Sequence, residues 1–207
     1  MYTPHPYAAA DPVAIIRRYA FAQLITGGGD TPLMATSTPI LFEREGDETR
    51  MVGHLSRANP QAGSLVAGMP VLAIFAGPTA FVSSSWYREK PEVPTWNYVT
   101  AQVRGRLTPI DDAEGQLAIL RHTNAMMERG NPDPWTLEKA PPGRVDFLLP
   151  MIRSFRIEVE AIAGATKLSQ RHPPGDRMRV LCALMDKGDG MAADVARLMA
   201  ADLGVGW

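Results

Sequence analysis

The stretch from Met51 to Tyr98 holds the side chains of this 207-residue sequence best suited to chemistry. It opens Gly53-His54-Leu55-Ser56-Arg57-Ala58-Asn59-Pro60-Gln61. An apolar run from Val71 to Phe75 follows and is closed by Gly77-Pro78. Then come Ser83-Ser84-Ser85-Trp86-Tyr87 and Pro94-Thr95-Trp96-Asn97-Tyr98. Arg57 is the first candidate for an anion, because a guanidinium is a planar fork that matches phosphate oxygens and stays charged. The Asn59-Pro60 step, read as a helix start, adds free backbone N–H groups beside it. A solvated arginine at a strand end is the plainer reading. His54 could bond a phosphate or a ring carbonyl, orient Arg57, or serve structure alone. Asn59 and Gln61 both donate and accept, as the edge of a flat polar ring requires. Asn59 could equally cap the helix. Ser56, Ser83, Ser84 and Ser85 bring hydroxyls, and Trp86, Tyr87, Trp96 and Tyr98 suit a pocket wall or an interface. The mixture fits a ligand with a phosphate at one end and a flat polar ring at the other.

Competing chemistries have less behind them. No Gly-x-Ser-x-Gly elbow accompanies the serines, which argues against a hydrolase. Four histidines share no zinc-like spacing. A single cysteine, Cys182, excludes an internal disulfide. Its apolar helical surroundings read it as a small core residue. The net charge of −1 supplies no global field for nucleic acid or an anionic membrane. No apolar run approaches the ~20 residues that span a bilayer. Met1-Tyr2-Thr3-Pro4-His5 has neither the basic segment nor the apolar core of a signal peptide, so the expectation is a cytoplasmic protein.

The elements that must position these residues follow from periodicity and punctuation. Asp11-Pro12 reads as an N-cap with proline at the first helical position, opening a helix to about Phe21. Gln23 to Thr26 is a strand cut off by Gly27-Gly28-Gly29-Asp30. That glycine run reads as a hairpin turn and not a phosphate loop, since no Lys-Ser/Thr follows. Leu33 to Glu43 and Thr49 to Leu55 form a second hairpin across the charged turn Arg44 to Glu48. Pro60 to Ala67 is a short helix. Val71 to Phe75 lacks polar alternation and so reads as a strand buried on both faces. After a turn at Gly77-Pro78 comes Ala80 to Ser83, then the longest strand, Trp96 to Ile110. Five or six strands with short turns argue for a small barrel. Asp111 starts a helix to about Arg129, with Ala113, Leu117, Leu120 and Met127 facing the barrel. Loops follow at Gly130 to Pro134 and Ala140 to Gly143. Ser154 to Ile162 is a half-exposed strand, and Asp176 to Met185 and Met191 to Leu203 are helices.

The order G-H-L-S-R-A-N-P-Q, a strand ending G-P, then S-S-W-Y, then V-P-T-W-N-Y resembles the PaiB-type family of FMN-binding split-barrel proteins, described as negative transcriptional regulators. Lys167-Leu168-Ser169-Gln170 matches a further family segment, although Arg171 stands where asparagine is usual. The resemblance runs from about Met1 to about residue 200. It implies a mainly β fold with peripheral helices, the FMN-binding split β-barrel of the pyridoxamine-phosphate-oxidase type. It also implies FMN as cofactor and a symmetric homodimer whose interface holds the flavin. The cofactor-binding candidates are His54, Ser56, Arg57, Asn59, Gln61, Ser84, Ser85, Trp96, Asn97, Lys167, Ser169 and Gln170. Residues 1–170 would form the barrel with inserted helices, and 171–207 a helical extension packed on it.

Alternatives stay open beside the regulator. One is a flavin-dependent oxidoreductase of unknown substrate. Another is a split barrel for haem or a deazaflavin, with His54, His122 or His172 as axial ligand. DNA is a possible partner through the resemblance, but the last helix is poorly suited to reading it. It begins Met191-Ala192-Ala193-Asp194 and carries one basic residue, Arg197.

Overall fold

The computed structural model describes residues 1–28, 31–44 and 46–206. Among the described residues six strands form a closed, mostly antiparallel barrel in the order β1-β2-β3-β6-β5-β4. They are β1 (Phe21–Gly28), β2 (Thr31–Arg44), β3 (Asp47–Ser56), β4 (Met69–Val82), β5 (Thr95–Ile110) and β6 (Ile152–Lys167). The helices are α1 (Pro12–Arg18), α2 (Pro60–Ser64), α3 (Ala113–Met127), α4 (Arg144–Leu148), α5 (Pro174–Asp186) and α6 (Gly190–Leu203). Among the described residues no helix is long and apolar enough to cross a membrane. The chain gathers into two compact units. One holds Met1–Ile15, Ala76–Ala101 and Ala163–Trp207, and the other Ile16–Phe75 and Gln102–Ile162.

In the second unit, β1 pairs with β2 from Phe21↔Pro39 to Gly28↔Thr31, with an irregularity between Thr26 and Gly28. Gly27 sits there at φ +100°, and a Cβ on it would lie 2.2 Å from the Pro32 carbonyl oxygen, so only glycine fits. The glycine turn expected after it includes Gly29 and Asp30, which lie outside the described residues, as does Glu45 of the charged turn. β3 pairs with β6 from Arg50↔Glu158 to Ser56↔Ile152. Gly53 stands opposite Phe155, whose ring would lie 2.6 Å from a Cβ there. The first glycine of the polar motif therefore makes room for a fully buried phenylalanine.

Several expectations need correction. α1 ends at Arg18, because Phe21 already pairs with Pro39. β4 runs unbroken through Gly77-Pro78. Its register with β1 covers Leu72 to Ile74, four residues short of Pro78, so the missing proline N–H costs that ladder nothing. Nor is β4 buried on both faces: Val71, Ala73 and Phe75 are buried while Leu72 and Ile74 are only partly covered. β5 shares its length with β6, 16 residues each.

The cap of α3 is Asp112, which accepts from the Gly115 N–H at 2.7 Å; Asp111 is held instead by Arg153. The buried face of α3 runs through Gln116 and Ile119, whereas Ala113 and Met127 are exposed. Leu120 turns toward an apolar cleft shared with Trp135, Val145 and Leu149. The segment after α3 carries helical turns at Leu137–Lys139 and Arg144–Leu148 that periodicity missed. Each is too short to show an amphipathic repeat.

In the first unit α5 and α6 pack together through Val180, Leu181, Leu184, Val195 and Met199, each fully buried. Burial of this kind contributes roughly 1.5–3 kcal/mol per side chain. Cys182 is exposed, not core. Leu181 and Leu184 occupy the inner face, and a residue one step from Leu181 is turned ~100° away from it.

Candidate functional site

In the second unit, β3 delivers His54, Ser56 and Arg57 to a tight turn. The Arg57 N–H donates to the Met151 carbonyl at 2.8 Å, and the Asn59 N–H to the Ser56 carbonyl at 3.0 Å. Arg57 Nε donates to the carbonyls of Pro150 (3.1 Å) and Ile152 (3.2 Å), and its Nη2 lies 3.5 Å from Asp111. Its side chain stays about half exposed. Arg153, which nothing in the sequence singled out, forks onto Asp111 with two 2.8 Å bonds and donates to the Ala62 and Leu65 carbonyls. The bond to Arg153 holds the Asp111 carboxyl below its ordinary pKa.

The amides of this turn serve the fold. Asn59 Oδ1 accepts from the Gln61 N–H at 2.9 Å, capping α2, and Nδ2 donates to Thr36 at 2.8 Å. Gln61 is 1% exposed. Its Nε2 donates to the Leu24 carbonyl, to Thr26 Oγ1 and to the Met34 carbonyl, clamping β1 to β2. His54 is partly buried with Nδ1 unpartnered among the described residues, and burial pushes its pKa down.

In the first unit, β5 and the end of β6 build a cleft of about 170 Å³. It collects Asn97, Lys167 and Ser169 from the expected set and adds Tyr7, Lys90 and His172. Asn97 is fully buried, and its Nδ2 donates to Ser169 Oγ at 3.0 Å. Ser169 is held at φ +60°, a left-handed conformation uncommon outside glycine, asparagine and aspartate. Lys167 Nζ donates to Thr95 Oγ1 and lies 5.6 Å from the centre of the Tyr7 ring. No ion pair holds it among the described residues, and burial alone lowers its pKa. Gln170 folds back on its own strand end, accepting from the Leu168 N–H and donating to the Thr166 carbonyl.

His172 stacks on Tyr87 with ring centroids 4.1 Å apart. Among the described residues its Nδ1 is buried without a hydrogen-bond partner. Burial first, then nearby Lys90, lower the His172 pKa. Lys90, Lys167 and Arg171 outnumber Glu92 along the cleft, and Glu92 is 3.2 Å from Lys90.

The remaining candidates stand outside that lining. Ser84 and Ser85 form an exposed helical turn after β4, with the Ser85 N–H donating to Ser83 Oγ. Trp96 is 53% exposed and meets Phe81 edge-on at 5.8 Å. Of the histidines considered for haem, His122 has its Nε2 bonded to the Phe42 carbonyl at 2.7 Å.

A partly desolvated lysine with no ion pair among the described residues, beside buried amide and hydroxyl groups, is a donor set for an oxyanion. It fits the anionic end of FMN. The volume is below the ~300–1,000 Å³ of complete ligand pockets, so the cleft fits part of such a molecule.

Residues 1–161 match the family FMN_bind_2, described as "Putative FMN-binding domain". The chain belongs to this family. Its members bring FMN as cofactor, and the PaiB-type resemblance read from the motifs falls within it. "Protease synthase and sporulation protein PAI 2" of Bacillus subtilis (strain 168) is 31% identical over 207 residues, covering 96% of each chain. Two solved structures share the fold. The flavocytochrome Anf3 of Azotobacter vinelandii has a TM-score of 0.60 at 17% identity, covering 81% of this chain and 72% of its own. The FAD and heme binding protein of Mycobacterium smegmatis has a TM-score of 0.54 at 12% identity, covering 82% and 77%. At such identities the likeness concerns the barrel alone.

Proposed function

We propose that this protein is an FMN-binding regulator of the PaiB type that works as a homodimer, with Lys167 contacting the anionic end of the flavin. The observation that carries this reading is the Lys167 ammonium, partly desolvated and with no ion pair to a carboxylate among the described residues, in a cleft walled by Asn97 and Ser169. Bound FMN supplies an electron acceptor for one or two electrons. The chain's own residues bind and orient it. Lys167 gives a point charge, and the Asn97 amide and Ser169 hydroxyl fix direction. Arg57 and Ser56 are proposed as a second anion contact, since the Arg57 guanidinium remains half exposed. In this reading residues 1–170 are the flavin-binding barrel and 171–207 its helical extension.

The regulatory action is proposed to run through a partner and not through strong direct DNA binding. Each arginine on α5 and α6 is already neutralised: Arg177 by Asp202, Arg179 by Glu89 and Asp176, and Arg197 by Asp194. A helix that binds duplex DNA needs cations available to phosphates.

The test is the visible spectrum of purified protein after gel filtration, with and without added FMN. A retained flavin spectrum on a species of twice the chain mass supports the reading, and a colourless monomer sinks it. Oxidation of a nicotinamide cofactor by the holoprotein would move the assignment to an oxidoreductase. Mixing Arg57→Ala chains with Lys167→Ala chains separates two arrangements. Recovery of roughly a quarter to a half of the sites means that the contacts come from different subunits.

A further inference from the structure

Asp176, in the first turn of α5, is a fully buried carboxylate. It belongs to no motif that the sequence offered. Its Oδ1 accepts from the N–H of Arg88 at 2.6 Å and of Glu89 at 3.1 Å, and its Oδ2 from the N–H of Lys90 at 2.8 Å. Three successive backbone donors thus converge on one carboxylate. Arg179 closes the arrangement, donating to Asp176 Oδ1 at 2.8 Å and to Glu89 Oε1 at 2.7 Å. Residues 88–94 have no regular secondary structure of their own. Lys90, Glu92 and Val93 nonetheless form one wall of the Lys167 cleft, while Lys167, Ser169 and His172 form another on the segment leading into α5.

We infer that Asp176 is a positioning residue: it locks the 88–93 wall onto α5 and so sets the cleft around Lys167 in its binding shape. The ligand half of this inference rests on the reading of that cleft as the flavin's anion contact. A loop without ladder partners leaves its N–H groups to water, and water leaves it free to wander. Charge-assisted bonds to three consecutive N–H groups remove that freedom at the residues that end beside the ligand. The Tyr87–His172 stack ties the same two segments at their other end. Burial pushes the Asp176 pKa up. The Arg88 N–H, the Arg179 guanidinium and the Glu89 and Lys90 N–H groups outweigh it and hold the carboxyl well below the carboxylate range. The lock therefore stays closed at every pH above the ordinary aspartate pKa and opens only as pH falls toward the depressed folded value.

Asp176→Asn sets an amide N–H against a backbone N–H while keeping size and shape. Hydrogen exchange at residues 88–90 is expected to quicken ~10-fold or more, the factor for about one charge-assisted bond. Exchange in α6 should stay unchanged. FMN titrated into the same protein should bind ~5-fold or more weakly. Asp202→Asn, which releases Arg177 on the same helix pair, should change neither reading. Unchanged exchange at 88–90 in Asp176→Asn overturns the lock. Faster exchange with unaltered FMN affinity overturns its role in ligand positioning, provided that Lys167→Ala weakens FMN. If Lys167→Ala also leaves FMN untouched, the flavin reading of the cleft fails while the lock stands. Arg179→Met, which spares the carboxylate, should shift both readings the same way by a smaller factor. It decides the matter if the Asn variant does not fold.

Discussion

The turn from His54 to Gln61 and the cleft around Lys167 contain a similar mixture of amide, hydroxyl and cationic side chains, yet they use it differently. In the turn, both amides are committed to the fold: Asn59 to the α2 cap and Thr36, Gln61 to three acceptors on β1 and β2. In the cleft, the Asn97–Ser169 pair stands beside a lysine whose hydrogen bond goes to a neutral hydroxyl and an imidazole Nδ1 without a partner, and neither is held by an ion pair among the described residues. Residue type alone does not distinguish a brace from a binding site. What distinguishes them is where the amide hydrogen bonds go: to a helix cap and neighbouring strands in the turn, and to a hydroxyl that lines the Lys167 cleft in the other.

The contrast predicts opposite phenotypes. Gln61→Leu should give the largest effect on folding, a loss of ~2–4 kcal/mol in urea unfolding, because it orphans buried acceptors on two strands. Its FMN affinity, measured on the folded fraction, should be close to wild type; a selective loss of flavin would make Gln61 a ligand contact. Lys167→Ala should do the reverse. FMN binding is expected to weaken by about 1.5–3 kcal/mol, the range for a charge-assisted bond, with unfolding free energy moved by less than ~0.5 kcal/mol. Asn59→Ala removes a helix cap and one strand contact, so a stability loss of ~1 kcal/mol is expected from the same urea curves.

The smallest effect concerns pH. His54 and His172 both have pKa values lowered by burial from the ordinary 6.5. The unfolded chain therefore binds protons at a pH where the folded chain does not. The linked stability is complete above the ordinary imidazole value and is lost as pH falls through the lowered folded values. Thermal midpoints from about pH 8 to about pH 5 should fall, and His54→Gln should flatten the slope. A slope unchanged in that variant would assign the effect to His172 alone.

The strands were legible because half-buried sheets leave a period of two, and α5 and α6 because Leu181, Leu184, Val195 and Met199 recur at helical spacing. The family was legible from uncommon tripeptides in order. Less was visible where a residue's partner is distant in the chain. Tyr7, Lys90 and His172 reach one cleft from three separate segments, and no local pattern marks any of them. Leu120 has the right period for a core stripe but faces the short helices after α3, which the sequence scarcely announces. Asp176 looks like an ordinary first-turn acid until its three backbone partners, 86 to 88 positions upstream, are seen.

Cys182 offers a practical opening. The chain has one cysteine, and its thiol lies on the outward side of α5, on the same helix as Asp176. A maleimide dye or nitroxide would therefore attach once per chain, with no mutagenesis and no disulfide to protect. In a twofold-symmetric pair the two spin labels would report a single distance by pulsed magnetic resonance. The width of that distribution, recorded with and without flavin, would read the rigidity of α5 directly in solution.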